Sequence, residues 1–201
     1  PRLAVHVDAV QAFTKLDLGL LENSIDTLAV SAHKIHGPKG IGALYIRKGF
    51  QLLSPLCGGG QEEGFRPGTQ NIPYMAGFAK AAELATQNAP AEQQQVSQLR
   101  KRLENGLADI PGIVYNSPQN GWAGICNFSL PGLRSEVLLH HLEKYEVYVS
   151  SGSACAQGAP SHTLTAMNLP AARVDSALRV SFCGHNTEAD IDALLEGLKD
   201  G

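Results

Sequence analysis

Several stretches of this 201-residue chain carry side chains able to do chemistry on a small molecule. The apolar run Ile25 to Val30 passes straight into Ser31-Ala32-His33-Lys34, which sets an amine at the end of a buried element. Ligands of α/β sheets collect at such strand ends, and an amine in a partly desolvated pocket can form an imine with a carbonyl compound. The plainer alternative is a solvent-facing lysine at a strand exit. Asp8 closes another strand pattern, with Gln11 three residues on. A carboxylate there can keep a pyridine nitrogen protonated, or it can cap the helix that follows. Ser31 and His33 alternate, so continued strand geometry turns both to one side and offers two donors to one anion. His33 and His36 also suggest a metal, but no third and fourth ligand stands nearby at a workable spacing.

Arg66-Pro67-Gly68-Thr69 follows Gly58-Gly59-Gly60 and combines a cation, a hydroxyl and backbone donors. Such a loop suits a phosphate, or it is an ordinary glycine-rich connection. Cys155 lies in Ser150-Ser151-Gly152-Ser153-Ala154-Cys155-Ala156-Gln157-Gly158-Ala159, whose small residues pack poorly, so its thiol reads as accessible and reactive. Cys126, between apolar neighbours, reads as a packing residue. Arg179 stands in Leu178-Arg179-Val180-Ser181-Phe182, where a cation wants a carboxylate, from a side chain or from a bound amino acid.

These residues need a fold to hold them, and the composition supplies one. With 43% hydrophobic and 17% charged residues the chain can bury a core as one large or two small domains. A net charge of −3 gives no basic footprint for nucleic acid. No apolar run approaches the roughly 18 to 20 residues of a membrane span, and the start lacks a signal peptide's charged and apolar regions. The four cysteines form no CxxC pair, so reduced thiols in a cytoplasmic protein are expected. The strand pattern Leu3-Ala4-Val5-His6-Val7 begins with no lead-in, which reads as a fragment of a longer fold.

Strand patterns fall at Leu3 to Val7, Ile25 to Val30 and Ile41 to Ile46; Gly37-Pro38-Lys39-Gly40 predicts an antiparallel pair between the last two. An Ala-rich helix from Pro73-Tyr74 should stop at Asn88-Ala89-Pro90, since proline disfavours helix in the residue before it, and the domain boundary is placed there. Domains of residues 1–89 and 90–201 follow. The second opens with a helix whose apolar stripe is Val96, Leu99, Leu103, Leu107 and Ile110. Strands at Ile113 to Asn116, Gly124 to Leu130, Val147 to Ser150 and Leu178 to Phe182 then alternate with helices at Ser135 to Tyr145 and Thr187 to Lys199. Thr187 and Asp190 form a variant capping box ahead of the stripe Ile191, Leu194, Leu195 and Leu198. His140, His141, His162 and His185 receive no chemical role.

In order, the motifs His6 to Gln11, Ser31 to Gly40, Arg66 to Thr69 and Ser150 to Cys155 resemble those of the cysteine desulfurases of the NifS/IscS type. The resemblance covers essentially the whole chain and corresponds to the C-terminal half of such an enzyme. It implies an α/β fold: the C-terminal part of a fold-type I pyridoxal-phosphate transferase, with a partial large-domain sheet and a small C-terminal α/β domain carrying the cysteine loop. It implies that Lys34 holds pyridoxal 5′-phosphate through an imine, Asp8 pairs with the pyridine nitrogen, Gln11 meets the phenolic oxygen, and Ser31 and His33 hold the phosphate. Thr69 would reach the phosphate of the neighbouring subunit's cofactor, which implies a homodimer. Arg179 would bind the carboxylate of L-cysteine. Cys155 would take the substrate sulfur, leaving alanine and a persulfide for a sulfur-acceptor protein such as an iron–sulfur cluster scaffold. The family's ring-stacking histidine, its Gly/Thr phosphate turn and its asparagine at the phenolic oxygen have no match here, so the isolated chain is expected to bind the cofactor weakly or not at all. Rival readings are a class V aminotransferase or selenocysteine lyase on the same scaffold, and a non-catalytic acceptor-binding module.

Overall fold

The computed structural model describes residues 3–19, 25–152 and 161–200 of an α/β chain that divides into two units, Pro1–Pro90 and Ala91–Gly201. In the first, β1 (His6–Asp8), β2 (Thr27–Ser31) and β3 (Gly42–Ile46) form a sheet in the order β1-β2-β3. β1 and β2 run parallel with Asp8 opposite Ala29, and β2 and β3 run antiparallel with Ser31 opposite Gly42. The Gly-Pro-Lys-Gly turn therefore makes the antiparallel pair its residues predict. β1 starts three residues later than the apolar pattern suggests, because the Val5 N–H donates to the Asp26 carboxylate at 2.9 Å instead of to a strand. Asp26 is buried and forms a 3.7 Å ion pair with Arg47, whose Nε donates to the Ile25 carbonyl at 2.7 Å. A buried carboxylate is tolerable only when paired in this way.

α1 (Ile72–Ala108) is one continuous helix with Pro90 inside it. The predicted stop at Asn88-Ala89-Pro90 is thus corrected. Proline biases the preceding residue away from helix but does not forbid it; inside a helix it removes one hydrogen bond to the Thr86 carbonyl and crowds that carbonyl with its ring. Helix on either side of Pro90 outweighs that cost. The buried apolar residues of α1, Val96, Leu99, Leu103 and Leu107, are those of the predicted stripe, Arg100 is buried beside them, and Ile110 lies past the helix end.

In the second unit β4 (Val114–Tyr115), β5 (Ile125–Ser129) and β6 (Ala177–Ser181) form an antiparallel sheet in that order. Alternation decides its faces. Cys126, Phe128 and Leu130 with Leu178, Val180 and Phe182 join Leu99 and Leu103 of α1, Leu138 and Leu142 of α2 (Ser135–Leu142), and the stripe of α5 (Glu188–Asp200) in one core. The Thr187 N–H donates to Asp190 Oδ2 at 2.9 Å, the expected cap of α5, and this bond with one from Asn186 holds the Asp190 carboxyl below its usual range.

Three expectations change in this unit. The helix from Ser135 yields at Glu143–Tyr145 to a 3₁₀ turn. Val147 to Ser150 is not a strand: Glu146 turns left-handed at φ 57° and the Val147 N–H returns to the Leu142 carbonyl, so only Ser150 bridges to Arg179. Two short helices, α3 (His162–Ala166) and α4 (Ala171–Asp175), fill a stretch with no apolar period long enough to announce them. His141 is structural, its Nε2 donating to the Gly197 carbonyl at 2.9 Å. No helix among the described residues is long and apolar enough to cross a membrane.

Candidate active site

The parallel strands β1 and β2 finish at the same end of the first sheet, with Asp8 and Ser31 as their last residues. Ser31 stands two positions past the residue paired with Asp8. Asp8 Oδ1 accepts the Val10 N–H at 3.0 Å in a tight turn; no helix follows among the described residues, so the helix-capping alternative is not realised, and the other oxygen has no partner among the described residues. Gln11 is exposed in the turn that follows.

β2 does not continue through Lys34. It stops at Ser31, and Ala32–Ile35 is a 3₁₀ turn that buries Ala32 and Ile35 and closes on His36 in the left-handed region. Strand alternation therefore cannot bring Ser31 and His33 together. The turn does so instead, with Ser31 Oγ hydrogen-bonded to His33 Nδ1 at 2.7 Å. Lys34 lies half-buried on this turn, and its amine has no hydrogen-bond or ion-pair partner among the described residues.

The Gly37-Pro38 pair fixes the turn against α1. A Cβ on Gly37 would stand 3.0 Å from the Ala32 carbonyl oxygen and 3.1 Å from Ala81 Cβ, and one on Gly77 would stand 2.7 Å from Pro38 Cγ. Small residues at 77 and 81 of the helix and at 37 of the turn are what let backbone and ring approach so closely. Among the described residues no cluster of three or more metal-ligating side chains occurs.

The Arg66 loop differs from its reading as a set of open donors. Arg66 Nε and a terminal nitrogen donate to Glu62 Oε1 at 3.0 and 2.7 Å, which holds the Glu62 carboxyl below its usual range. The Gly68 N–H donates to Gln61 Oε1. The cause is local: Gln61–Gly64 is a tight turn with Glu62 and Glu63 left-handed, which sets Glu62 one turn before Arg66. Thr69 remains exposed with no partner among the described residues.

In the second unit Arg179 is opposite Asn127 on β5 and bridges Ser150 on its other side. Its Nε is buried without a hydrogen-bond partner, and no carboxylate pairs with it among the described residues. The expected partner is therefore not a described side chain. Cys155 lies outside the described residues. Sequence reasoning missed Asn116, Asn127 and Arg173, which interlock on the same sheet face. The signal was present in Ile125-Cys126-Asn127-Phe128-Ser129-Leu130, where polar Asn127 and Ser129 alternate with apolar neighbours. A cleft of about 480 Å³ lined by Tyr148, Phe182 and Ile191 contains none of the candidate residues.

Comparison with known proteins places this geometry in context. The family model for aminotransferase class-V matches residues 2–194. A cysteine desulfurase of Bradyrhizobium diazoefficiens is 43% identical over 198 residues, covering 97% of this chain and 50% of that protein. The chain spans about half the length of the curated relatives it matches. A solved NifS-like protein, 36% identical, superposes with a TM-score of 0.89 over 98% of this chain and 52% of its own. A NifS-like protein from Rickettsia africae, 29% identical, gives the same TM-score of 0.89 over 98% and 53%.

Proposed function

Since this chain belongs to the aminotransferase class-V family, we propose that it serves a pyridoxal-phosphate-dependent cysteine desulfurase that converts L-cysteine to L-alanine and retains the sulfur as a persulfide on Cys155. The observation that carries the reading is the half-buried Lys34 amine, without a partner among the described residues, on a turn beside the Ser31–His33 pair that follows the end of β2, at the same end of the sheet where Asp8 ends β1. The cofactor has an aldehyde, a ring nitrogen and a phosphate. The donor set fits it: an amine, a carboxylate with one oxygen uncommitted, and a hydroxyl next to an imidazole.

When bound, pyridoxal 5′-phosphate supplies an electron sink for bond changes at an amino acid's α-carbon. Lys34 would hold the aldehyde carbon and, once released, move a proton at the substrate α-carbon. Asp8 would keep a proton on the ring nitrogen, Gln11 would hydrogen-bond the phenolic oxygen, and Ser31 and His33 would bind the phosphate. Thr69 would reach the phosphate bound by the partner subunit of a homodimer. Arg179 would bind the substrate carboxylate through the donor that has no partner among the described residues. The Cys155 thiolate would attack the substrate sulfur; the carbon–sulfur bond breaks, a sulfur–sulfur bond forms, and protonation of the remaining carbon gives alanine. The persulfide would pass to an acceptor protein such as an iron–sulfur scaffold in the cytoplasm.

The test is alanine formation from L-cysteine with pyridoxal phosphate and a reductant, in this chain and in the chain extended upstream to its relatives' length. Alanine formed by the extended protein and abolished by Cys155→Ala is the expected result. Turnover that persists in Cys155→Ala with keto-acid as product would identify a transaminase and overturn the reading.

A further inference from the structure

Hydrogen bonds on the polar face of the second unit's sheet form a chain that can be read in one direction only. Arg173 has donors and no acceptor, and its Nε and a terminal nitrogen reach Asn116 Oδ1 at 3.1 and 2.5 Å. Asn116 must therefore turn its amide nitrogen the other way. That nitrogen donates to Ser129 Oγ and to Asn127 Oδ1, both at 2.7 Å, while Ser129 Oγ donates onward to the Arg173 carbonyl at 2.7 Å. Asn116 is buried at 8% exposure, and its amide is fully used.

The consequence falls on Asn127. Its carbonyl oxygen is taken by Asn116, so the group left over is its Nδ2, a donor with no partner among the described residues. Asn127 is directly opposite Arg179 in the β5–β6 register. Opposed residues of an antiparallel pair project from the same face with their Cβ atoms about 4.5 to 5.5 Å apart. Arg179 Nε is the buried donor without a partner. Two neighbouring donors, one cationic and one neutral, thus share a face on which neither has an acceptor among the described residues.

Resting on the reading of Arg179 as the carboxylate-binding cation, we propose that Asn127 is a second substrate-binding residue: its Nδ2 donates to one oxygen of the amino-acid carboxylate while Arg179 holds the other. A carboxylate has two acceptor oxygens and matches two adjacent donors; an ammonium or an apolar group matches neither. The Arg173–Asn116 pair presets the amide in its donating orientation before substrate arrives. Specificity for an α-carboxylate then resides in a pair of residues across two strands.

The test uses L-alanine, the carboxylate-bearing product, titrated into the ¹⁵N-labelled chain while the Arg179 Nε–H and Asn127 Nδ2–H₂ signals are followed by NMR. Both signals move along one saturation curve, and ethylammonium, which lacks the carboxylate, moves neither. Asn127→Ala weakens L-alanine binding about tenfold, the order expected for one hydrogen bond to a charged group. Asn127→Asp retains the acceptor that Asn116 needs, and its carboxylate occupies Arg179, so binding is lost while the fold remains. If Arg179 responds to L-alanine, Asn127 does not, and Asn127→Ala binds as tightly, the assignment is overturned and the Arg179 reading survives. If neither signal moves, the Arg179 reading fails and the assignment falls with it.

Discussion

The two units spend their apolar residues differently. Among the described residues the second unit gathers sixteen buried side chains into one cluster, whereas the first unit's cluster holds three, Ala9, Ile25 and Leu28. The first unit instead exposes Leu3, Leu44, Leu53 and Ile72, and β3 is exposed at four of its five positions. Burial is the dominant favourable term in folding, so the second unit is held by its core. The first is held chiefly by backbone pairing, by the Asp26–Arg47 contacts and by the close packing of the Lys34 turn on α1. The lesson is a division of labour: the unit with the weaker core carries the candidate cofactor residues, and the unit with the stronger core presents Arg179 on a rigid sheet.

The sharpest measure of this contrast is cysteine reactivity. Burial pushes the Cys126 thiol up to about 11 against the opposing charge of Arg100, while Cys57 of the first unit is exposed. At pH 8 a thiol of that pKa is about one part in a thousand ionised, against about one part in four for an ordinary cysteine. Alkylation of the native chain followed by peptide mapping should show Cys57 labelled more than about a hundredfold faster than Cys126. Equal rates would erase the contrast. The linkage has a definite sign: a thiol raised in the folded state contributes stability in full below the ordinary cysteine value. That contribution fades as pH rises through about 11.

A smaller effect tests the cores themselves. Leu103 is fully buried at 0% exposure and Leu53 is 91% exposed. Leu103→Ala should destabilise the second unit by about 3 kcal/mol in urea unfolding, and Leu53→Ala should change stability by less than about 0.5 kcal/mol. Comparable losses would mean that the first unit has a core of similar weight. The smallest effect sharpens the account of the first unit: a Cβ on Gly42 would stand 2.6 Å from the Val30 carbonyl oxygen, which is backbone and cannot swing aside. Gly42→Ala should therefore cost about 2 kcal/mol and slow nothing in the second unit, with hydrogen exchange accelerating at β2 and β3 alone.

Legibility followed the same divide. The stripe of α5, Ile191, Leu194, Leu195 and Leu198, is buried at every position, as is the predicted stripe of α1 up to Leu107, because one face of a helix must repeat at 3.6 residues wherever a core is large. The antiparallel pair β2–β3 was readable from four turn residues. Pro90 misled because a local preference carries less weight than helix on both sides of it. Val147 to Ser150 misled because strand-like composition cannot reveal that Glu146 turns left-handed and sends the next N–H back to a helix end.

For the site, residue type named the candidates and the fold set their relations. The amine of Lys34, the carboxylate of Asp8 and the guanidinium of Arg179 follow from covalent structure, and the sequence by itself determined which chemistry each offers. It also determined the α/β class and the two helical stripes, since periodicity is local. Only the tertiary structure decided that Ser31 and His33 meet through a 3₁₀ turn, that Arg66 is committed to Glu62, and that Asn127 stands opposite Arg179 with a donor that has no partner among the described residues. Those relations join residues whose partners are set by turn geometry and strand register, and register is fixed by the whole sheet's packing, which no short stretch of sequence contains.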